Sequence, residues 1–511
     1  MKNVDLAIIG AGIAGIFAAY KVVSERPDLK VVVVEQGLDI RQRSCPIITG
    51  KVSSCVHCKI CSIMRGFGGA GAFSDGKFNF TTEFGGWLTD YLPEKQVMEL
   101  ISEVDKINVA FGASQDVHST FTPEAELIRK KALGLDIHLL NARCKHLGTD
   151  RNREVLIHQY DYLNERAELL FDTRVEEIIP LKNGQPLAVS DAETKAEKQS
   201  QEALCASDAE QEKPSSRPAS MRSTQKRGEQ DCPDQFLLKT NRGEICASKL
   251  IAAPGRAGAE WFSAQCAKLG LPMANNQVDL GVRVELPALV FRDITDAMYE
   301  AKLKYQTRQY RDIVRTFCMN PYGYVVAENT DGIITVNGHS FEDPQRRSEN
   351  TNFALLVSNR FTEPFNEPYR YGKHIASLSN MLGGGVIMQR LGDLLDGRRT
   401  TAHRMLKSFV RPTLQATPGD LSLVLPKRHI DNIIEMLQVL DKLAPGTANA
   451  DTLLYGVEVK FYSARLSLDA NFETDLAGFY AIGDGAGITR GLSQAGASGL
   501  KAGMAVLSEL S

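Results

Sequence analysis

The sequence predicts an α/β protein in which a parallel-sheet domain is interrupted by a smaller α+β domain. Residues 5–35 have the pattern of a buried strand, a glycine turn, a helix and a second buried strand ending at Glu35. Near the other end of the chain, an apolar strand leads into Gly483-Asp484, and residues 249–256 form a strand and turn between these two segments. Residues 271–454 carry strands of their own, among them one over 280–285, and a helix over 428–443, which predicts the inserted domain.

The first segment has the spacing of a dinucleotide-binding turn in a Rossmann-like fold. Gly10 permits a sharp turn, Gly12 lets a pyrophosphate approach the backbone, and Gly15 lets the helix pack against the sheet. The pyrophosphate would lie on the free N–H groups at the helix N-terminus, and Glu35 would accept hydrogen bonds from a ribose. The predicted contacts here are Gly10, Ala11, Gly12, Ile13, Ala14, Gly15, Glu35 and Gln36.

The late segment decides which dinucleotide is expected. Residues 474–484 resemble the late flavin motif of the glutathione-reductase-like FAD proteins. The resemblance implies that Asp484 binds the ribityl chain and that the C-terminal helix points its N-terminus at the flavin. It also implies that the 249–256 turn passes near the cofactor and that the backbone beside Val175 meets the adenine. FAD is therefore the predicted cofactor, with further contacts at Val175, Ala253, Gly255, Gly483, Asp484, Gln494 and Ala495.

The domain organisation follows from these segments. We assign 1–86, 145–270 and 455–511 to the FAD-binding domain, 87–144 to a helical cap and 271–454 to a substrate domain. Helices are predicted over 94–111 and 124–133, within the cap. Residues 190–233 are rich in Ser, Glu, Lys and Gln and contain no aromatic residue, so we predict a disordered insertion there.

Charge and composition exclude several classes of function. The 511 residues carry a net charge of −3 without a long basic block, which argues against nucleic acid as a partner. No apolar run reaches the roughly 18–20 residues of a membrane span. A strand begins almost at Met1, so no signal peptide is expected, and the cysteines are interpreted as thiols or ligands rather than disulfides. A cytoplasmic location is the expectation.

A cysteine-rich stretch precedes a glycine run. Cys45, Cys55, Cys58 and Cys61 could bind a metal or an iron–sulfur cluster, relay electrons as dithiols, or be structural, so no metal ligand is assigned. The run from Gly66 to Lys77 predicts close backbone approach to the flavin ring, with polar contacts from Ser74 and Lys77.

The chain as a whole resembles a largely uncharacterised family of FAD-dependent dehydrogenases in the glutathione-reductase-like superfamily. The resemblance is carried by residues 58–64 with 66–77, 146–150, 281–285, 337–340, 456–462 and 483–484. It implies an oxidoreductase that exchanges hydride between bound flavin and a small substrate. The electron partner stays open among NAD(P)H, ferredoxin and a quinone. The alternative is an electron-transfer flavoprotein that relays electrons through the cysteine stretch to a protein partner.

Three polar residues are candidates for substrate contact, and no catalytic residue is assigned. Arg283 could clamp a carboxylate or pair with Glu285. His339 could be a general acid or a turn histidine. Lys460 could favour an anionic flavin or donate a proton, or simply face solvent in an alternating strand.

Overall fold

A computed structural model describes residues 2–52, 56, 58–141, 143–187, 233–330, 332–341, 343–359 and 367–510. Of the predicted disordered insertion 190–233, all but residue 233 lies outside the described residues. Within the described ranges, no helix combines the length and the apolar character needed to cross a bilayer.

The helices and strands of the described residues have the following bounds. The helices are α1 Ile13–Glu25, α2 Glu94–Ala110, α3 Pro123–Leu133, α4 Gly148–Asn164, α5 Ala259–Lys268, α6 Ala288–Met298, α7 Pro368–Gly383, α8 Leu391–Leu395, α9 Ala402–Leu406, α10 Lys427–Leu443 and α11 Leu492–Glu509. The strands are β1 Lys2–Ile9, β2 Val31–Val34, β3 Lys77–Phe80, β4 His118–Ser119, β5 Ile137–Leu139, β6 Arg143–His146, β7 Glu168–Leu170, β8 Val175–Lys182, β9 Gln185–Pro186, β10 Gln235–Thr240, β11 Gly243–Ala252, β12 Met273–Ala274, β13 Val278–Pro287, β14 Leu303–Gln306, β15 Ile313–Asn320, β16 Tyr324–Thr330, β17 Ile333–His339, β18 Asn350–Asn359, β19 Ile387–Arg390, β20 Thr417–Pro418, β21 Leu453–Lys460, β22 Arg465–Leu466 and β23 Phe479–Ala481.

The first sheet is parallel where the cofactor motifs meet. Its parallel strands run in the order β7-β2-β1-β11-β23, and β10, β8 and β9 add an antiparallel extension on the first half of β11. All four valines of β2 are buried, as expected for a parallel strand covered on both faces. Helices α1 and α11 pack closely, because a Cβ added at Gly499 would lie 2.2 Å from the Ala14 carbonyl oxygen.

The second sheet forms the core of the inserted domain. Its order is β20-β19-β21-β13-β18-β15-β14-β5, and all of its pairings are antiparallel except that of β19 with β20. Helix α10 contributes its apolar face to this core through Ile430, Ile433, Met436, Leu437 and Leu440, at the spacing of an amphipathic helix.

The predicted fold class, a Rossmann-like domain with an inserted α+β domain, is confirmed by this arrangement. The predicted boundary at residues 454 and 455 falls inside β21, which lies wholly in the second sheet because it pairs with β13 over Asp279–Glu285. The segment predicted as a cap divides between the two cores. Helix α2 packs on the first core with Val97, Leu100, Ile101 and Val104, and β5 joins the second sheet.

Candidate functional site

The turn between β1 and α1 has the geometry that its glycines predict. Gly10 has φ +99°, and a Cβ there would lie 2.3 Å from the Ala253 carbonyl oxygen. A Cβ at Gly15 would lie 2.0 Å from the Gly10 carbonyl oxygen, so α1 lies directly against the turn. A Cβ at Gly12 would meet nothing within 4 Å, because this residue faces a cavity. The turn therefore leaves space at the N-terminus of α1, where a pyrophosphate binds in this motif.

Glu35 is anchored by backbone donors. Its Oε2 accepts a hydrogen bond from Ala11 N at 2.9 Å, and its Oε1 accepts from Gly37 N at 2.8 Å and Gly66 N at 3.0 Å. The carboxylate still lines the cavity beside Gln36. Glu35 therefore links the α1 turn, the segment after β2 and the start of the glycine run by hydrogen bonds, in addition to its predicted contact with a ribose.

The glycine run lies against the dinucleotide turn. Gly68 N donates to the Ala11 carbonyl oxygen at 2.7 Å, and a Cβ at Gly69 would lie 3.2 Å from the Cα of Gly12. Buried Arg43 fixes the backbone at the start of this run by donating to the carbonyl oxygens of Ser62, Ile63 and Phe67. The predicted close approach thus occurs at the α1 turn, and the approach of this run to the flavin ring stays a prediction.

The dinucleotide turn and the Gly483-Asp484 motif are far apart in the sequence but adjacent in space. A Cβ at Gly483 would lie 2.9 Å from the Cβ of Ala14, and Ile482 N donates to the Ala252 carbonyl oxygen at 2.9 Å. Asp484 Oδ1 accepts from Thr489 Oγ1 at 2.8 Å, and its Oδ2 lies 3.9 Å from Arg256 Nε. The middle motif lies between them and lines the same cavity.

One cavity of about 910 Å³ joins these motifs. Eleven of the fifteen predicted cofactor residues line it: Gly10, Gly12, Ile13, Ala14, Glu35, Gln36, Ala253, Gly255, Gly483, Asp484 and Ala495. The open space at Gly12, the backbone cradle around it and the acid at Asp484 match the parts of FAD that each motif is expected to hold.

Four predicted cofactor residues do not line the cavity. Ala11 and Gly15 are enclosed in the turn itself, and Gln494 donates from Nε2 to the Phe84 carbonyl oxygen at 3.2 Å. Val175 is buried at the start of β8, two residues after Thr173, whose N–H donates to the Glu35 carbonyl oxygen. Val175 therefore lies close in the chain to the Glu35 end of the cavity without lining it.

The cavity continues into a part that the sequence did not predict. We call this part the chamber and define it by Phe84, Trp87, Lys302, Phe317, Lys460, Tyr462 and Arg490, all of which line the cavity. Phe317 lies under three cations, with Lys302 Nζ 4.4 Å, Arg315 Cζ 5.1 Å and Lys460 Nζ 5.5 Å from its ring centre. The chamber therefore combines aromatic surface with positive charge.

Most of the cations in and beside the chamber are paired with carboxylates. Lys77 Nζ lies 2.8 Å from Asp75 and 3.4 Å from Glu300, and Lys302 also pairs with Glu300. Burial alone would raise the pKa of Glu300, but the charges of Lys302 and Lys77 lower it to about 2. All four of these side chains are buried, so they form a neutral network beside the chamber.

Asp279 anchors a second network. Its Oδ2 accepts hydrogen bonds from Tyr462 OH at 2.6 Å and from Arg315 Nη2. Burial alone would lower the pKa of Arg315, but the charge of Asp279 raises it above the ordinary value. The Tyr462 hydroxyl is thus engaged with Asp279, and its ring remains available to the chamber.

For two of the three candidate substrate residues, the structure contradicts one of the interpretations made of them. Arg283 is completely buried and lies 3.4 Å from Glu458, whereas Glu285 accepts from Tyr455, Thr413 and Asn350. The interpretation of an Arg283–Glu285 pair is therefore wrong, and Arg283 does not line the cavity. Lys460 does line it, but is buried and 2.8 Å from Glu458 Oε1, so the solvent-facing interpretation of Lys460 is wrong.

His339 is the third candidate. It lies at the end of β17 rather than in a turn, and burial lowers its pKa to about 4. At neutral pH it is therefore uncharged, which contradicts a general acid with a pKa near the working pH. A comparable group escaped the sequence analysis: His146 Nε2 lies 2.7 Å from Tyr299 OH and 3.1 Å from Ser340 Oγ, next to Lys77.

The cysteine stretch is described in part. Cys58 is exposed, and Cys45 and Cys61 are partly exposed. Among the residues that the structure describes, no cluster of three or more His, Cys, Asp or Glu side chains is placed to hold a metal ion. Cys55 lies outside those residues, so the metal, relay and structural interpretations of this stretch stay predictions.

Sequence signals for the chamber are weak. Arg490 lies in a glycine-rich segment directly before the C-terminal helix, which is a local signal that could have been used. Phe317, Lys302 and Tyr462 come from separate strands and loops of the inserted domain. Their convergence depends on strand pairing between distant segments.

Comparisons with known proteins agree with the cofactor prediction. Residues 279–461 match the family model described as "FAD-dependent protein, C-terminal domain-like". An uncharacterized protein of Clostridium beijerinckii is 31% identical over 212 residues, and this alignment spans 39% of this chain and 39% of that relative. FAD as the cofactor is confirmed, while the narrower assignment to the glutathione-reductase-like superfamily stays a prediction.

Solved structures give only distant similarities. Glycine oxidase from Geobacillus kaustophilus is 11% identical with a TM-score of 0.36, covering 99% of this chain and 95% of that one. L-proline dehydrogenase from P. horikoshii is 10% identical with a TM-score of 0.39, covering 99% and 94%. Scores this low support no conclusion about this chain.

Proposed function

We propose that this chain is an FAD-dependent oxidoreductase of the dehydrogenase or reductase type, acting on a small substrate held in the chamber. The observation that carries the proposal is the continuity of one cavity from the dinucleotide turn to the chamber of the inserted domain. Such a cavity allows a cofactor and a substrate to lie in contact.

Different residues of this chain would bind the two halves of FAD and set the electrostatics around the flavin. The N-terminus of α1, Gly12 and Glu35 would hold the adenosine and pyrophosphate half of FAD, and Asp484 the ribityl half. The N-terminus of α11 lines the cavity through Leu492 and Ala495, and its partial positive charge favours negative charge on the flavin. Bound FAD supplies the two-electron redox chemistry, and the protein supplies orientation and electrostatics.

The test is the behaviour of the purified protein. We expect it to be yellow, to release all its flavin on acid precipitation, and to be bleached anaerobically by members of a panel of small metabolites. Protein that purifies without flavin and does not take up added FAD contradicts the proposal. Colour that stays in the acid pellet contradicts non-covalent binding.

The electron-transfer alternative rests on the cysteine stretch alone. Iron and acid-labile sulfide analysis of anaerobically purified protein distinguishes the two functions. We expect neither element at stoichiometric level, and a cluster would favour the relay.

A further inference from the structure

Arg490 is a partly buried cation of the chamber that no carboxylate of the described residues pairs with directly. Its guanidinium lies 4.2 Å from the ring centre of Tyr462, and its Nη2 atom is shielded from solvent without a hydrogen-bond partner. Within the described ranges no carboxylate lies within ion-pair distance of it. Asp484 pairs with Arg256 and Asp279 pairs with Arg315.

This arrangement costs free energy unless a ligand compensates for it. A shielded N–H donor of a charged group is unfavourable when it has no hydrogen-bond partner. The ring of Tyr462 offers its face to the guanidinium, but its hydroxyl donates to Asp279. Burial and the charge of Arg256 lower the pKa of Arg490 by more than the charges of Asp484 and Asp279 raise it.

The remaining chamber cations identify the charge of the missing group. Lys302 and the neighbouring Lys77 are neutralised by Glu300 and Asp75. Lys460 shares Glu458 with Arg283, and the nearby carboxylate of Glu328 supplies the second negative charge beside these two cations. The guanidinium of Arg490 is thus the chamber cation without a carboxylate partner among the described residues. A single positive charge suits a ligand with one negative charge better than a phosphate with two. A planar guanidinium fork also matches a carboxylate in bidentate geometry.

The rings identify the rest of the ligand. Trp87 and Tyr462 meet edge to face with centres 5.4 Å apart, and Phe84 and Phe317 share Lys302 between them at 5.3 Å and 4.4 Å. These four rings offer apolar surface to a small flat or aliphatic body. The backbone of Arg490 is fixed by donation to the Gly85 carbonyl oxygen, one residue before the cap of α11.

We propose that the chamber binds a small monocarboxylate with an apolar body, and that Arg490 pairs with its carboxylate beside the cofactor. This inference rests on the proposed function, because it names the substrate class of the same cavity. Arg490 is then a binding residue, and the ring wall of Phe84, Trp87, Phe317 and Tyr462 sets the size of the body that is accepted.

The test is a titration of the FAD-loaded protein with benzoate, followed by the flavin absorbance spectrum. We expect a saturable spectral change with benzoate and none with benzamide, which has the same shape without the charge. Arg490→Met should weaken benzoate binding roughly 10- to 100-fold, as expected for a lost charge-assisted hydrogen bond. Arg490→Lys, which keeps the charge without the fork, should lie between.

Arg465→Met is the matched control. Arg465 lies 5.8 Å from the ring centre of Trp87, but it pairs with Asp90 at 2.6 Å and does not line the cavity. Its replacement removes a positive charge from the same region and should leave benzoate affinity unchanged.

Each contrary result separates the two proposals. Protein without FAD overturns the proposed function before any titration. FAD-loaded protein that shows no benzoate change, responds equally to benzamide, or binds benzoate equally well after Arg490→Met overturns only the carboxylate site. If Arg490→Met does not retain FAD, Arg490→Lys and the comparison of benzoate with benzamide on the unmodified protein decide.

Discussion

A side chain added at Gly12 would enter the cofactor cavity without touching the protein. The residue has φ −73°, which any amino acid adopts, and no atom lies within 4 Å of its added Cβ. Gly12→Val should therefore fold but lose FAD, because the side chain occupies the space of the pyrophosphate. The flavin absorbance per mole of purified protein, together with circular dichroism, measures both outcomes.

Gly15→Val is the control for that variant. Its Cβ would lie 2.0 Å from a backbone oxygen, so this change should lower the melting temperature or prevent soluble expression rather than remove FAD selectively. Near-stoichiometric FAD in purified Gly12→Val protein would show that the cofactor lies elsewhere.

Glu35 has a structural role beyond the ribose contact that its motif predicts. From the sequence, Glu35→Gln is a mild change, because an amide still accepts one ribose hydrogen bond. The structure revises this expectation, since a glutamine must turn an NH2 group toward at least one of the three backbone donors at Ala11, Gly37 and Gly66.

We expect Glu35→Gln to destabilise the protein by roughly 1–3 kcal/mol, the cost of leaving a buried donor unpaired. The measurement is thermal unfolding with FAD in excess. Glu25→Gln, at the exposed end of α1, is the control and should change stability by about 0.5 kcal/mol or less. An unchanged melting temperature for Glu35→Gln would contradict the anchoring role.

At the scale of elements, α10 carries a polar group in its apolar face. His429 is buried, and neither of its ring nitrogens has a hydrogen-bond partner among the described residues. Burial lowers its pKa to about 4. His429→Leu should stabilise the protein by roughly 1–2 kcal/mol at neutral pH, because it removes buried unpaired nitrogens from the helix–sheet contact.

The same variant should flatten the dependence of stability on pH. An unfolded histidine titrates near 6.5, so between pH 6.5 and 4 the unfolded state binds more protons and the free energy of unfolding falls as pH falls. Replacing His429 removes its contribution to this fall in the free energy of unfolding. His146 and His339, whose pKa values are also about 4, keep their contributions. Melting temperatures from pH 7 to pH 5 test this, with exposed His403→Leu as the control.

Elements were predictable wherever the pattern is local. Helix α10 was expected to begin at Arg428 and begins at Lys427, and it ends at Leu443 as predicted, because the apolar spacing of one helix is contained in its own sequence. Strand β13 was predicted over 280–285 and extends over Val278–Pro287, since pairing with β18 on one side and β21 on the other lengthens it.

At the scale of the whole molecule, the predicted insertion falls between β9 and β10, two strands of the first sheet, and its deletion tests whether the fold depends on it. Pro186 and Gln235 pair with Leu181 from opposite sides, so the chain ends flanking the insertion lie two strand spacings apart, about 10 Å. A few residues span that distance. Deleting 192–232 should change stability by roughly 1 kcal/mol or less and leave FAD content unchanged.

A wider deletion of 184–234 is the comparison, because it also removes β9 and Asp234, whose carboxylate accepts from Asn183 N at 2.8 Å. We expect this second variant to be the less stable of the two in thermal unfolding. A soluble 192–232 deletion that cannot hold FAD would show that the insertion is structural.

The sequence by itself determined the dinucleotide turn, the order of the three cofactor motifs and the presence of an inserted domain. These features depend on local spacing, such as Gly10, Gly12 and Gly15 between a buried strand and its helix, and local spacing is visible in one dimension. The tertiary structure decided the pairing of the buried charges. Asp279 and Arg315, Arg283 and Glu458, and Glu300 and Lys77 come together only through tertiary contacts between segments that are far apart in the chain. Arg490 emerges as the chamber cation without a carboxylate partner among the described residues only after those partners are assigned, because the charge of a site is a property of its whole surroundings.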